Sequence, residues 1–136
     1  MNGADSTTLI GMAAVVLGTI GLALFVKMAI TRKARRIEGH PAPDTSAIDA
    51  GCTAASRVYY LYSEHCGPCK AITPRIDALR QQHPNLIKLD VKAHPELARG
   101  FNAMATPSFV HVRDGQVVEV RLGSVNEAWL LERLVA

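Results

Sequence analysis

Two cysteines separated by two residues stand in the stretch Ser63-Glu64-His65-Cys66-Gly67-Pro68-Cys69-Lys70. The stretch follows an apolar run rich in Val and Tyr and precedes a helical pattern, which puts Cys66 at or near a helix N-terminus. Unsatisfied backbone N–H groups and the positive end of the helix dipole favour a thiolate there. A thiol of lowered pKa is what a disulfide-exchange nucleophile needs. Cys69, one turn on, suits the resolving role: it attacks a mixed disulfide and releases the bound thiol. Gly67 and Pro68 shape the turn into the helix, and Pro68 fits the first helical turn, where its missing N–H costs little. The same pair could form half of a zinc site, but structural zinc takes four ligands, commonly from two such pairs. The chain has three cysteines, no second pair and no His pair at ligand spacing, and His65 adjoins Cys66 too closely for easy shared coordination. No metal is therefore expected, and the redox reading leads. Cys52 lies apart and is read as incidental, with a regulatory thiol or pairing with Cys66 as the alternatives.

The elements that must position this pair follow from periodicity. Residues 57–62 (RVYYLY) read as a strand. Residues 69–82 read as a helix whose Ile72, Ile76 and Leu79 recur at helical spacing, with Pro74 predicting a kink. A second strand is expected over 86–91, a short helix over 95–101 and a loop over 102–107. Residues 108–113 and 116–122 are two strands joined by Asp114-Gly115, a strong hairpin signal. After Gly123 a last helix is expected over 125–135, with Trp129, Leu130 and Leu134 facing inward. The order is βαβαββα. Residues 39–56, with Pro41, Pro43 and Gly51 among small and polar residues, read as a linker holding at most a short helical turn near Ile48.

Hydrophobic residues make up 49% of the 136, but unevenly: residues 9–26 carry no charge at all. As a helix those residues reach about 27 Å, close to a bilayer's hydrocarbon core. Extension to residue 30, with Lys27 snorkelling, gives a transmembrane helix over 9–30. The first eight residues lack the Lys or Arg that a cleaved signal peptide would carry, so an uncleaved anchor is expected. Gly11, Ala14, Gly18 and Gly21 offer a weak route to pairing of two such helices into a homodimer. Through Glu38 there are five Lys/Arg against two Asp/Glu, and ten of each thereafter. The basic character thus sits beside the membrane at Lys27, Arg32, Lys33, Arg35 and Arg36, which argues for lipid proximity and against nucleic-acid binding. The positive-inside rule places the N-terminal residues 1–8 outside and everything after the anchor in the cytoplasm. The expected organisation is the N-terminus 1–8, the helix 9–30, a basic juxtamembrane segment and linker 31–56, and a catalytic domain 57–136, in what is expected to be a bacterial inner membrane.

From residue 57 to the C-terminus the chain resembles the thioredoxin family. Cys66-Gly67-Pro68-Cys69-Lys70 is that family's active-site motif without substitution. Pro74 matches the proline inside its active-site helix, Thr106-Pro107 the loop with a cis proline, Asp114-Gly115 its last hairpin turn, and Gly123 a glycine just beyond. The resemblance implies an α/β thioredoxin-like fold: a central mixed sheet flanked by helices, here with the family's first strand and helix shortened. It implies dithiol–disulfide exchange with Cys66 attacking and Cys69 resolving. Thr106 and Pro107 would form the groove for the substrate backbone. The implied partners are a protein disulfide and a dithiol electron donor, with no cofactor beyond the Cys66–Cys69 couple.

The departures are informative. His65 stands where the family usually has tryptophan, and Tyr60 where it has a buried aspartate that helps move protons. Tyr60 is no equivalent base near neutral pH, because a phenol titrates near 10. Lys88 matches a lysine that accompanies that aspartate and here lacks it. Glu64 or His65 could carry protons in part, and a cationic His65 would favour a Cys66 thiolate. The leading expectation is a membrane-tethered disulfide reductase. The alternatives are a binding or assembly module that keeps the fold and uses the Thr106–Pro107 groove, and an extracytoplasmic isomerase or reductase.

Overall fold

The computed structural model describes residues 3–135, with side chains from residue 7 onward. The first two positions of the expected segment 1–8 therefore lie outside the described residues. The chain forms two compact units, Met1–Arg32 and Lys33–Ala136.

The first unit is made by one helix, α1 (Gly3–Ala34), which contains no proline to interrupt it. Its helical structure begins at Gly3, earlier than residue 9. Leu9, Leu17, Leu22 and Phe25 are exposed on all sides of it. A stretch with mean hydropathy 2.5 makes it long and apolar enough to cross a membrane, a property it shares with signal sequences. Two of its hydroxyls are turned back onto its own backbone: Thr19 Oγ1 donates to Val16 O and Thr31 Oγ1 to Lys27 O, which suits them to apolar surroundings.

The second unit is built on a four-stranded sheet in the order β2-β1-β3-β4. The strands are β1 (Ser56–Tyr62), β2 (Leu86–Asp90), β3 (Ser108–Arg113) and β4 (Gln116–Leu122). β1 pairs parallel with β2 and antiparallel with β3, so the sheet is mixed, as expected. The β3–β4 hairpin turns at Asp114 and Gly115, with φ of 50° and 76°. Positive φ at both positions is the turn that matches strand twist, and it is why the Asp-Gly pair is there. One edge of the sheet is capped: Arg80 Nε donates to Leu86 O, and His94 N to Asp90 O.

Alternation along β1 sends successive side chains to opposite faces. Val58 and Tyr60 join Phe109 in a core under α3 (Gly67–Arg80) and α5 (Glu127–Leu134), which contribute Ile76, Leu79, Trp129 and Leu130. Tyr59 and Leu61 face the other way, into a core with Leu89, Val110, Leu97 and Phe101, the last two from and just after α4 (Pro95–Gly100). β1 is the central strand and is closed in on both sides. Pro74 lies inside α3 without ending it.

The expected linker is folded instead. A 3-10 turn (Arg35–Ile37) precedes it, and a one-turn helix, α2 (Ser46–Asp49), lies within it at the expected helical turn near Ile48. Gly39 N donates to Val117 O, Val117 N to His40 O, and Ala42 N to Gly115 O, so residues 39–42 run along the outer edge of β4. Pro41 bridges Gln116. Ala34 is fully buried, and Ile37, Ile48 and Cys52 pack on the Tyr59 core. Glu38 Oε1 accepts from Val120 N, and Asn102 Nδ2 donates to Lys33 O at 2.6 Å. Small and polar residues made this segment look unstructured. Its backbone groups pair with β4 and its few apolar side chains suffice to seal one face of the sheet. Among the described residues no strand precedes β1, consistent with the shortened start expected from the family resemblance.

Candidate functional site

Residues that lie far apart in sequence meet at one end of the sheet. The cysteine motif follows the C-terminal end of β1, and Lys92 follows that of the parallel strand β2. Leu61 pairs with Ser108, which brings the Thr106–Pro107 loop to the same end, and Ser108 pairs with Leu122, which brings Gly123.

Cys66 is the N-cap of α3, in extended conformation with φ −84° and ψ 110°. Its Sγ accepts from Cys69 N at 3.2 Å, and its carbonyl accepts from Lys70 N. A sulfur that already receives a backbone N–H at a helix start is a site where negative charge is favoured. Cys66 and Cys69 are joined in a disulfide, with Cα atoms 5.2 Å apart. Cys66 is half-buried, whereas Cys69 is 1% exposed. Only Cys66 can be reached by a protein disulfide, so the two sulfurs divide into an outer and an inner partner. Gly67 and Pro68 are exposed in the first turn. Gly67 has no positive φ, and a Cβ there would meet nothing within 4 Å. The chain's own packing therefore does not require glycine at that position; it leaves open space beside Cys66.

The Thr106–Pro107 peptide bond is cis. Pro107 is buried and Thr106 half-buried, and Pro107 O accepts from Gly123 N at 2.8 Å. Ser108 Oγ donates to Ala105 O, which closes the loop on itself.

His65 is exposed, and its Nδ1 lies 3.2 Å from Lys92 Nζ. An ammonium can only donate, so Nδ1 is the acceptor in this contact. Lys88, which lacks the family's aspartate partner because position 60 is tyrosine, pairs elsewhere: its Nζ is 3.0 Å from Asp77 Oδ1 and lies 4.7 Å from the centre of the Tyr62 ring. Lys88 lies within β2, away from the end where the cysteines sit. Cys52 is a free thiol packed against the opposite core, so it does not pair with Cys66. Among the described residues no group of three His, Cys, Asp or Glu is placed to hold a metal ion.

Beneath Cys69 the structure places two hydroxyls. Thr73 Oγ1 donates to Cys69 O at 2.7 Å, and Tyr60 OH lies 2.9 Å from Thr73 Oγ1 and 3.4 Å from Cys69 O. Burial first, then the negative charge of Asp77, holds the Tyr60 phenol above its ordinary value, and the Thr73 hydrogen bond opposes this in part. Tyr60 therefore works as a neutral hydrogen-bonding group. Thr73 was missed by motif reading. The signal was its i+4 spacing from Cys69, repeated at Asp77, a polar line on a helix whose neighbouring positions are apolar. An open groove of about 350 Å³ runs along this line, between Tyr62 and Glu64 on one side and Lys70, Thr73 and Pro74 on the other, with Cys69 in its wall.

The family model for thioredoxin matches residues 52–136. The chain is 38% identical over 65 residues to a thioredoxin of Chlamydia muridarum, covering 46% of this chain and 64% of the relative. It is 35% identical over 77 residues to a thioredoxin of Mycobacterium bovis, covering 54% and 66%. The chain thus spans slightly less than two thirds of the length of these curated relatives. The crystal structure of oxidised mitochondrial thioredoxin 3 from Saccharomyces cerevisiae superimposes with a TM-score of 0.52 at 29% identity, covering 62% of this chain and 81% of that one. With the motif, the sheet order and the family match over more than half its length in agreement, this chain belongs to the thioredoxin family.

Proposed function

We propose that the chain is a membrane-tethered thiol–disulfide oxidoreductase that reduces protein disulfides through Cys66 and Cys69. The observation that carries this is the disulfide at the start of α3, with its outer sulfur reachable and its inner one buried. In the reduced form, the Cys66 thiolate attacks a substrate disulfide. One substrate sulfur leaves as a thiolate and takes up a proton, and the other is bonded to Cys66. Cys69 then loses its proton and attacks Cys66 Sγ; the Cys66–Cys69 bond forms and the second substrate thiol leaves. Two electrons have passed to the substrate, and a soluble dithiol restores the pair. Thr106 and Pro107 are the residues we assign to the substrate groove, because their loop reaches the same end of the sheet. Gly67 leaves the approach to Cys66 open, and Pro68 fixes the first turn.

The tether is the helix over residues 9–30, supported by its length and mean hydropathy. The basic residues Arg32, Lys33, Arg35 and Arg36 that follow it favour a cytoplasmic domain. A substrate held at the same membrane face is the partner that a tether would serve.

The test uses the full chain in detergent micelles, with insulin as the protein disulfide and dithiothreitol as the electron source. Turnover is expected from the parent, a loss of at least about 10²-fold from Cys66→Ser because the nucleophile is gone, and accumulation of a mixed disulfide from Cys69→Ser. Equal rates in the parent and Cys66→Ser would sink the mechanism and leave a fold used for binding alone.

A further inference from the structure

The sulfur that must resolve the mixed disulfide sits on a helix whose hydrogen-bond ladder is interrupted one residue past it. Pro74 has no N–H, so the bond it would make to Lys70 O is missing. The first turn of α3, which carries Cys69, is therefore joined to the rest of the helix by fewer bonds than usual. At that joint stands the Cys69 carbonyl, and it is there that side chains are added. Thr73 Oγ1 donates to it at 2.7 Å. The Thr73 hydrogen is then spent, so in the 2.9 Å contact between the two hydroxyls Tyr60 OH is the donor and Thr73 Oγ1 the acceptor. Tyr60 belongs to β1, the central strand, and is fully buried between Tyr62 and Phe109, with ring centres 5.5 and 5.1 Å away. The hydroxyl chain thus runs from an inner strand of the sheet to the backbone of the resolving cysteine. Hydrogen bonds in such a chain polarise and strengthen one another.

We propose that Thr73, held by Tyr60, is a positioning residue for Cys69: it ties the resolving cysteine to the sheet, so that its sulfur stays in line with Cys66 after Cys66 has bonded to substrate. This rests on the oxidoreductase reading above. It assigns a use to a pair of residues that the exchange chemistry itself does not touch. A displacement of about 1 Å can cost on the order of 10² in rate for such an attack. The effect falls on one step only. Attack by Cys66 on an incoming disulfide needs the N-cap bond from Cys69 N, which belongs to the peptide plane shared with Pro68 and not to the one whose carbonyl Thr73 holds. Closure by Cys69 needs the distance that the hydroxyl chain holds.

The two steps can be read separately with a symmetric nitrobenzoate disulfide, whose halves absorb once released. The first half leaves when Cys66 attacks and the second when Cys69 closes the ring. The full chain in detergent micelles, carrying Cys52→Ala so that no third thiol reacts, is mixed with this reagent in a stopped-flow cell. Thr73→Val is close to isosteric and keeps the β-branch; it should leave the first phase unchanged and slow the second about tenfold. Thr73→Ser keeps the hydroxyl and should restore the second phase to within about twofold of the parent. Tyr60→Phe should fall between them. The pH midpoint of the second phase should be the same in Thr73→Val and the parent, because positioning changes the height of the profile and leaves the titrating thiol alone. A second phase as fast in Thr73→Val as in the parent would overturn the proposal. Equal slowing of both phases would also overturn it, by showing general loosening. A moved midpoint would replace positioning by proton transfer. If the parent itself releases only the first half, the oxidoreductase reading fails, and this inference with it.

Discussion

Tyr59 and Tyr60 are neighbours on the central strand, both fully buried, and they serve opposite ends of the protein's business. Tyr60 points under α3 and spends its hydroxyl on Thr73, next to the redox pair. Tyr59 points to the other face and spends its hydroxyl on a carboxylate: Asp49 Oδ2 accepts from Tyr59 OH at 2.6 Å, Thr45 Oγ1 at 2.7 Å and Arg57 NH1 at 2.7 Å. Burial, and then the bond to Asp49, push the Tyr59 phenol far above its ordinary range. One face thus joins a charged knot to a segment that looked like a linker, and the other joins neutral hydroxyls to a cysteine. A carboxylate is tolerable on the first face because an arginine meets it. On the second face the Tyr60 hydroxyl meets another hydroxyl and a carbonyl, and a neutral group stands where the family has an aspartate. What is taught is that the period of two along a strand lets one dipeptide anchor the fold and tune the site independently.

The largest expected effect breaks the first half of that comparison. Asp49→Ala removes the partner of a half-buried Arg57 and leaves the Tyr59 and Thr45 hydroxyls with their acceptor gone. Removing one member of a buried pair costs about 3–5 kcal/mol, and the lower end suits Arg57, whose side chain is 22% exposed. Urea unfolding of the full chain should show that loss, while both phases of nitrobenzoate release from the remaining folded protein stay at parent rates. A slowed second phase in Asp49→Ala would mean that the two faces are coupled.

A smaller effect sharpens the comparison by reversing it. Tyr59→Phe leaves Asp49 short of one donor and should cost about 1–3 kcal/mol of stability, with exchange kinetics intact. Tyr60→Phe removes a neutral hydrogen bond, worth about 1 kcal/mol or less, yet it is the variant that should slow closure by Cys69. The pair is measured by unfolding midpoint against second-phase rate. Finding both variants on one line, with kinetic loss tracking stability loss, would end the distinction.

Much of this architecture was legible in the chain because its signals are local. The hairpin at Asp114-Gly115 was placed with its strand ends correct, since positive φ at two adjacent positions leaves few residue choices. Cys66 was placed at a helix start from the motif and the flanking strand. β1 and β2 each differ by one residue at one end, and helix ends differ more: α5 starts at Glu127 because Asn126 accepts from Trp129 N, a cap that sequence periodicity alone overruns by two residues. Residues 39–56 were illegible for a different reason. Their order comes from pairing with β4 and from a carboxylate whose partners, Arg57 and Tyr59, lie in the next element, and no local pattern announces such contacts. The lysine–aspartate pair at Lys88 and Asp77 was hidden in the same way, because it joins a strand to the far end of a helix. The cysteines were readable as chemistry, and the hydroxyls beneath them only as geometry.

The smallest expected effect lies on the Tyr60 face and concerns acid. His111 follows Phe109 by two positions on β3, so it faces α5, and it is 3% exposed. Ser56 Oγ donates to Arg133 O at 2.6 Å, which leaves Ser56 to accept from His111 Nε2 at 2.9 Å. A histidine held by a donating Nε2 has only Nδ1 left to protonate. Burial first, then the positive charges of Arg113 and Arg133, hold the His111 pKa below its ordinary 6.5, with Glu119 opposing in part. The sign follows from linkage: the unfolded chain takes up the proton before the folded one does, so unfolding is favoured by acid. The contribution is complete above about pH 6.5, falls as pH drops below it, and levels off once the folded form also protonates. Thermal unfolding of the full chain should show a melting temperature that declines from neutral pH toward pH 5, and His111→Gln, which can still donate to Ser56, should flatten that decline. The Tyr59 face has no buried histidine, so Tyr59→Phe should shift the whole curve without changing its slope in this window. A decline that persists in His111→Gln would place the acid sensitivity elsewhere, and would remove the last difference in chemistry assigned here to the two faces of the sheet.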